Sequence, residues 1–238
     1  MKLPDLDTRH LQPELMDAPD LAPARAAGAL RALARVNRLS GVAGRVWDEA
    51  RALNSGHGGR PIRVLDVACG GGDVVVSLAR RASRSGLAFE VHGCDVSPTA
   101  IAIARDNSKR AGVRARFFEL DALRDEIPDD YDVVCCSLFL HHLEEHDAVA
   151  LLVTMAEKAR RTVLVQDLRR TAAGYALAFA VLRLISRSDV AHTDGPRSVE
   201  GAFSLREARD LARRAGLEGA LVEPCWPQRF RLTWRRDV

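Results

Sequence analysis

The chain has 238 residues, 47% of them hydrophobic and 28% charged, with a formal net charge of +3. That is apolar material for one large α/β domain with an appendage, and too small a basic excess to argue for nucleic acid. Its five cysteines are scattered and lack a C-x-x-C pair, which excludes a disulfide scaffold or a zinc site and points to a reducing cytoplasm.

Residues 1–20 are Pro- and Asp-rich and read as irregular. Lys2, Pro4, Asp5 and Asp7 with no apolar run behind them predict no secretory signal. Residues 23–39 are rich in Ala, Arg and Leu and read as a helix, with Leu30, Leu33, Ala34 and Val36 as a partial stripe. Arg25, Arg31, Arg35 and Arg38 fall on its solvated face. A second short helix covers 43–53. Residues 54–59 read as a linker by composition, dividing an N-terminal helical cap segment (1–55) from the main domain (56–238).

From residue 63 strand and helix alternate. A short, β-branched apolar run at 63–68 has the look of a buried parallel strand. It breaks at Gly70, Gly71 and Gly72, and a helical pattern opens at Asp73, read as its N-cap. Strand two is 90–95. Ser97 caps a helix over 99–111 with Pro98 in its first turn. Strand three is 115–120 and strand four 131–137, where the adjacent Cys135 and Cys136 must face opposite ways. A helix follows at 144–159 with Val149, Leu152, Val153 and Ala156 inward, then strand five at 161–167. The apolar helix at 172–186 reads as core, or as a substrate wall through Tyr175 and Phe179. Its uncharged part, 171–182, is too short to span a bilayer. Residues 188–203 read as a loop that closes over a cleft. Ser204-Leu205-Arg206-Glu207 is a capping box opening a helix to Ala215, stopped by Gly216. Two closing strands, 218–223 and 229–234, are joined through Pro224 and Pro227.

The glycine turn is the centre of the functional reading. Glycines after a strand let backbone amides approach a ligand. The dinucleotide fingerprint fails at its third glycine, which is Val75, and a phosphate loop would need a lysine that is absent. Asp73 puts negative charge at the positive end of the helix, where a phosphate would sit. A ligand with a positive centre suits the loop better. Asp66-Val67-Ala68-Cys69-Gly70-Gly71-Gly72 resembles motif I of the class I S-adenosylmethionine-dependent methyltransferases, with Ala68 at the first glycine position. The resemblance runs from residue 63 to the C-terminus. It implies an α/β, Rossmann-like, seven-stranded and mostly parallel sheet with one antiparallel strand and helices on both faces.

It also implies a cofactor site. Asp95, ending strand two, would accept the ribose hydroxyls, and Val96 would pack on the adenine. Asp121 would receive the adenine amine beside the Ala122 amide. Asp66 would hold the methionyl ammonium, directly or through water. Ala68, Cys69, Gly70 and Gly72 would form the loop, and Ser137 would end strand four at the cofactor edge. Strand four runs on as Leu138-Phe139-Leu140-His141-His142-Leu143, without the Asn/Asp-Pro-Pro-Tyr/Phe of nucleobase amino-methylases. The His-His-Leu ending is similar to small-molecule methyltransferases acting on quinone and polyketide precursors.

One histidine would face the cleft and the other anchor the next helix. His141 is the expected base, His142 the anchor, and His192 a competitor for the base role. The expected reaction is O-methylation of a small hydroxylated acceptor: phenolic, quinol-like or polyketide-derived. C-methylation of a similar ring, a protein or RNA methylase and an inactive cofactor-binding partner subunit are the other readings. A monomer or homodimer in the cytoplasm is expected, with no metal, no nucleic acid and no stable membrane insertion.

Overall fold

The computed structural model describes residues 4–18, 20–53, 59–128 and 130–236. The linker expected at 54–59, and with it the boundary drawn at 55/56, lies outside the described residues except for Gly59. Two helices lead the chain, α1 (Pro23–Ser40) and α2 (Val42–Ala52). The alternating part follows as β1 (Ile62–Val67), α3 (Asp73–Ser85), β2 (Phe89–Asp95), α4 (Pro98–Ala111), β3 (Arg116–Glu119), β4 (Tyr131–Ser137), α5 (Glu145–Lys158) and β5 (Ala159–Leu168). It closes with α6 (Ala172–Ile185), α7 (Asp189–Gly201), α8 (Leu205–Arg214), β6 (Leu221–Cys225) and β7 (Arg229–Arg235).

The strands form one sheet in the order β3-β2-β1-β4-β5-β7-β6. β1 to β5 pair in parallel, and β7 runs antiparallel to both β5 and β6. This is the expected mostly parallel sheet with one reversed strand. The strand order turns back between β1 and β4, so the carboxyl ends of those strands frame a crevice, the usual place for a ligand in open α/β sheets.

Two apolar layers cover the sheet. Val64, Val133 and Cys135 pack with Val46 and Trp47 of α2, Val75 and Leu78 of α3 and Ile101 of α4. Leu65, Val134 and Cys136 pack with Leu151, Leu152 and Met155 of α5 and Leu211 of α8. Cys135 and Cys136 do face opposite layers, as the period of two in a strand requires. α3 shows how sequence sets this: Val74, Val75, Leu78, Ala79 and Ala82 fall on one helical face and are buried, while Arg80 and Arg81 face water.

Several expectations need correction. In α1 the buried residues are Ala29, Ala32, Asn37 and Ser40, while Leu30 and Leu33 line a cavity. In α5 they are Ala148, Leu151, Leu152 and Met155, about one residue off the stripe read from the sequence. α6 is not core: it buries Gly174 and Leu182, and Leu184 is 84% exposed. It lies outside the sheet layers, against α7 and α1. The expected loop at 188–203 is mostly helix α7. Ser188 caps it by accepting from the Ala191 amide, and it runs on through Pro196. Tertiary burial of Val190, Ala191 and Val199 outweighs the breaking tendency of Gly195 and Pro196. β6 continues through Pro224, tolerated because β6 is the sheet edge.

Candidate functional site

The glycine loop gets its shape from backbone. Ala68, Gly70 and Gly72 have φ of 54°, 50° and 71°, the left-handed region that glycine enters without strain. The Cys69 amide donates to Cys94 O at 2.9 Å, and the Gly72 amide to Cys69 O at 2.9 Å. Gly72 is the N-cap of α3, so the helix opens one residue earlier than an Asp73 cap would place it. A Cβ on Gly72 would meet Phe117 Cε1 at 2.8 Å and Ala104 Cβ at 2.9 Å.

Asp95 ties the loop to the end of β2. Its Oδ2 accepts from the Gly70 amide at 2.8 Å and its Oδ1 from the Ser97 amide at 2.9 Å. Burial pushes its carboxyl up, and those two amides hold it down. Asp121 closes a turn by accepting from the Leu123 amide at 3.0 Å.

A cavity of about 660 Å³ opens above these strand ends. Ala68, Cys69, Gly70, Asp95, Val96, Asp121, Ala122 and Ser137 all lie on its wall, with Leu30, Leu33 and Asn37 of α1 across from them. Two groups there await a partner. The Ser137 hydroxyl is buried with no hydrogen bond among the described residues, and the Val96 side chain stands 66% exposed. Gly72 and Asp66 are not on the wall. Asp66 is buried beneath the loop, accepts from the Cys135 thiol at 3.5 Å, and is pushed up to about 8 by burial and by the Asp73 charge.

The histidines come out differently from expectation. His141 is buried, its Nδ1 2.6 Å from Asp167 Oδ1, and it does not reach the cavity wall. His142 does. The placements expected of the pair are exchanged: both lie in a 3-10 turn (Leu140–His142) rather than on an extension of β4. His142 Nδ1 is 3.1 Å from Asp17 Oδ2, and its Nε2 stands 3.8 Å from Glu14 Oε2. Burial lowers the affinity of this ring for a proton, but Asp17 and Glu14 outweigh it and raise the value to about 9. Against the upward push of burial, His141 holds the Asp167 carboxyl below its ordinary range. His192 does not line the cavity. Its Nε2 lies 3.1 Å from Leu182 O and 2.8 Å from Ser186 O, pinning the α6–α7 junction away from the wall.

Asp17 and Glu14 belong to a feature not read from the sequence, a strap made by the N-terminal segment 5–17. Arg9 donates to Gly201 O, His141 O and Leu143 O, at 2.6, 3.0 and 2.6 Å. The Leu15 and Met16 amides donate to Asp194 of α7 at 2.8 and 3.0 Å. Arg170 donates to both Glu207 oxygens and to Leu6 O. Met16 and Asp17 thereby join the cavity wall. Glu14, His141 and His142 are the one metal-type group among the described residues, with ligand atoms within 4.8 Å of one another. Every imidazole nitrogen in it faces a carboxylate.

Residues 64–162 match a family described as a methyltransferase domain. The Ubiquinone biosynthesis O-methyltransferase of Xylella fastidiosa (strain 9a5c) is 30% identical over 182 residues, covering 74% of this chain and 70% of the relative. The chain belongs to the class I S-adenosylmethionine-dependent methyltransferases. The protein of the same name from Xanthomonas euvesicatoria pv. vesicatoria (strain 85-10) is 28% identical over 223 residues, 85% of this chain and 90% of the relative. Among solved structures, an O-methyltransferase family 2 protein from Planctomyces limnophilus DSM 3776 in complex with apigenin has a TM-score of 0.62 at 18% identity, covering 92% of this chain and 63% of that one. A SAM-dependent methyltransferase from Aquifex aeolicus has a TM-score of 0.61 at 17% identity, with 91% and 99% coverage. These structures share the fold of this methyltransferase. Its methyl donor is S-adenosylmethionine, and the unpartnered Ser137 hydroxyl and exposed Val96 on one wall fit such a molecule.

Proposed function

We propose that this methyltransferase transfers a methyl group to the hydroxyl oxygen of a small, largely apolar acceptor, phenolic or quinol-like. The observation that carries the reading is His142, an imidazole on the cavity wall oriented by a carboxylate. Asp17 bonds Nδ1, and Nε2, 3.8 Å from Glu14, makes no hydrogen bond among the described residues, the arrangement of an oriented general base. Its raised affinity for a proton approaches that of a phenol, near 10 in ordinary surroundings, which suits proton transfer between the two. Leu138 and Phe139 beside it supply apolar wall. The relatives named as O-methyltransferases support the same reading.

The sulfonium of the donor supplies an activated methyl group, so the protein's task is alignment and exclusion of water. In the reaction the acceptor O–H proton passes to His142 Nε2. The oxygen–methyl bond forms as the sulfur–methyl bond breaks, and S-adenosylhomocysteine leaves. Asp95 would hold the ribose, Val96 the adenine face, and Asp121 with Ala122 the adenine edge. Ala68, Cys69 and Gly70 would bring their backbone to the donor, and Ser137 would meet its edge. His141, locked on Asp167, would keep the turn that presents His142. We place the protein in a reducing cytoplasm on its buried free thiols. No helix among the described residues is long and apolar enough to cross a membrane.

Two measurements test this. Calorimetry should show binding of S-adenosylhomocysteine and none of NAD; tight NAD binding would overturn the cofactor assignment. Turnover of labelled donor with a panel of phenols and quinols should place the label on oxygen. Label on ring carbon would make the enzyme a C-methyltransferase, and label on a protein or RNA alone would overturn the small-molecule reading.

Asp95→Ala should weaken cofactor binding by roughly 1–3 kcal/mol, since charge-assisted bonds to the ribose are lost. Unchanged affinity in the same titration would move the ribose contact elsewhere.

A further inference from the structure

Three elements distant in sequence meet below the glycine loop. Arg229, at the start of β7, is 1% exposed and donates through Nη1 to Asn37 Oδ1 of α1 at 3.2 Å. Its Nη2 is buried with no hydrogen-bond partner among the described residues. Asn37 in turn lies close enough to Asp73 to hold its carboxyl down. Asp73 and Asn37 both lie on the cavity wall, beside Gly70 and Gly71. A buried cation thus backs a buried amide, which backs a carboxylate that faces the cavity.

We propose that Asp73 is the counter-charge for the methionyl ammonium of the cofactor, with Asn37 and Arg229 positioning its carboxylate from behind. The inference rests on the S-adenosylmethionine chemistry of the family and reassigns the contact that the sequence placed on Asp66. Three observations favour Asp73. It lines the cavity and Asp66 does not. Asp66 spends its carboxyl on the Cys135 thiol. Burial raises the Asp73 carboxyl more than Asn37, its own backbone amide and Arg229 pull it back, so it is a carboxylate short of positive charge, and a bound ammonium supplies it. An acid at a helix N-terminus is ordinarily explained by the helix dipole alone. Here the side chain also shares the cavity wall with Asn37 of α1, which Arg229 of β7 holds from behind, an arrangement that capping does not need.

The test separates the amino-acid end of the ligand from its nucleoside end. S-adenosylhomocysteine carries the ammonium; 5′-methylthioadenosine keeps the adenosine and sulfur but has no amino-acid tail. Binding of both to the full chain is measured by calorimetry, with a thermal unfolding curve for each variant. Asp73→Asn should weaken S-adenosylhomocysteine roughly 10–100-fold, the worth of a charge-assisted contact, and leave 5′-methylthioadenosine within about 3-fold. Asn37→Ser should show the same selectivity with a smaller loss, and it serves as the second variant if Asp73→Asn does not fold. Equal weakening of both ligands would mean that Asp73 merely shapes the loop, and no weakening of either would place the ammonium elsewhere. Each result overturns the proposal. A wild-type chain that binds neither ligand would remove the cofactor assignment itself, an outcome distinct from these.

Discussion

Replacing His142 by alanine should lower turnover by roughly 10²–10⁴-fold while leaving S-adenosylhomocysteine affinity within a few-fold, the signature of a lost general base. The expected pH profile follows from the pairing with Asp17 and Glu14. A base must be neutral to take a proton, and His142 stays protonated up to about 9. Wild-type turnover should therefore rise with pH and level off near 9, and the variant should lose that limb. The limb lies well above the value near 6.5 of an unpaired imidazole, where the residue's identity alone would put it.

Stability has the opposite sign. Because the folded value exceeds the unfolded 6.5, the stabilisation from the pairing is complete below about 6.5 and is lost as pH rises through about 9. Its size is at most about 3 kcal/mol. Thermal unfolding of wild type and variant from pH 6 to pH 10 should show their difference shrinking toward the alkaline end. A constant difference would mean that His142 acts by packing alone. A turnover loss of only a few-fold, with an unchanged profile, would leave alignment as the whole of catalysis.

Gly72→Ala should destabilise the fold by roughly 2–5 kcal/mol. A left-handed non-glycine residue costs about 1–2 kcal/mol, and forcing atoms into a packed core adds about 1–3 kcal/mol. The new methyl would lie 2.8 Å from Phe117 Cε1 and 2.9 Å from Ala104 Cβ, ring and backbone-anchored atoms with little room to yield. Gly72 also starts α3 and carries the turn beneath Gly70, so cofactor affinity should fall with stability. Urea unfolding reads the first effect and calorimetry the second. A midpoint shift worth less than about 1 kcal/mol would show that the α3–α4 contact relaxes easily.

Much of this was local in origin and therefore legible. The run ending in Val67, the three glycines and the apolar face of α3 specify a strand, a turn and a helix from residues within a few positions of one another. Ser97 capping α4 and the Ser204–Glu207 capping box on α8 are of the same kind. Strand–helix alternation with a closing pair of strands sets the parallel order and the reversed β7, and so the crevice at which Asp95 and Asp121 end.

What the sequence could not order was decided by contacts across the whole chain. α7 forms despite Gly195 and Pro196 because its buried face and Asp194, which receives the strap amides, repay a poor local propensity. α6 looks like core from composition, but the two sheet faces are already covered by other helices, so most of it remains at the surface. Which histidine meets the cavity depends on a 3-10 turn held by Asp167, 26 residues away. The strap reaches His142 from Asp17, 125 residues away, and Arg229 reaches Asn37 across 192. Hydrophobic periodicity and caps report each residue's near neighbours, and these determined the fold and the cofactor loop. The charges that poise His142 and Asp73 come from segments that meet only when the sheet closes, and that was the work of tertiary structure alone.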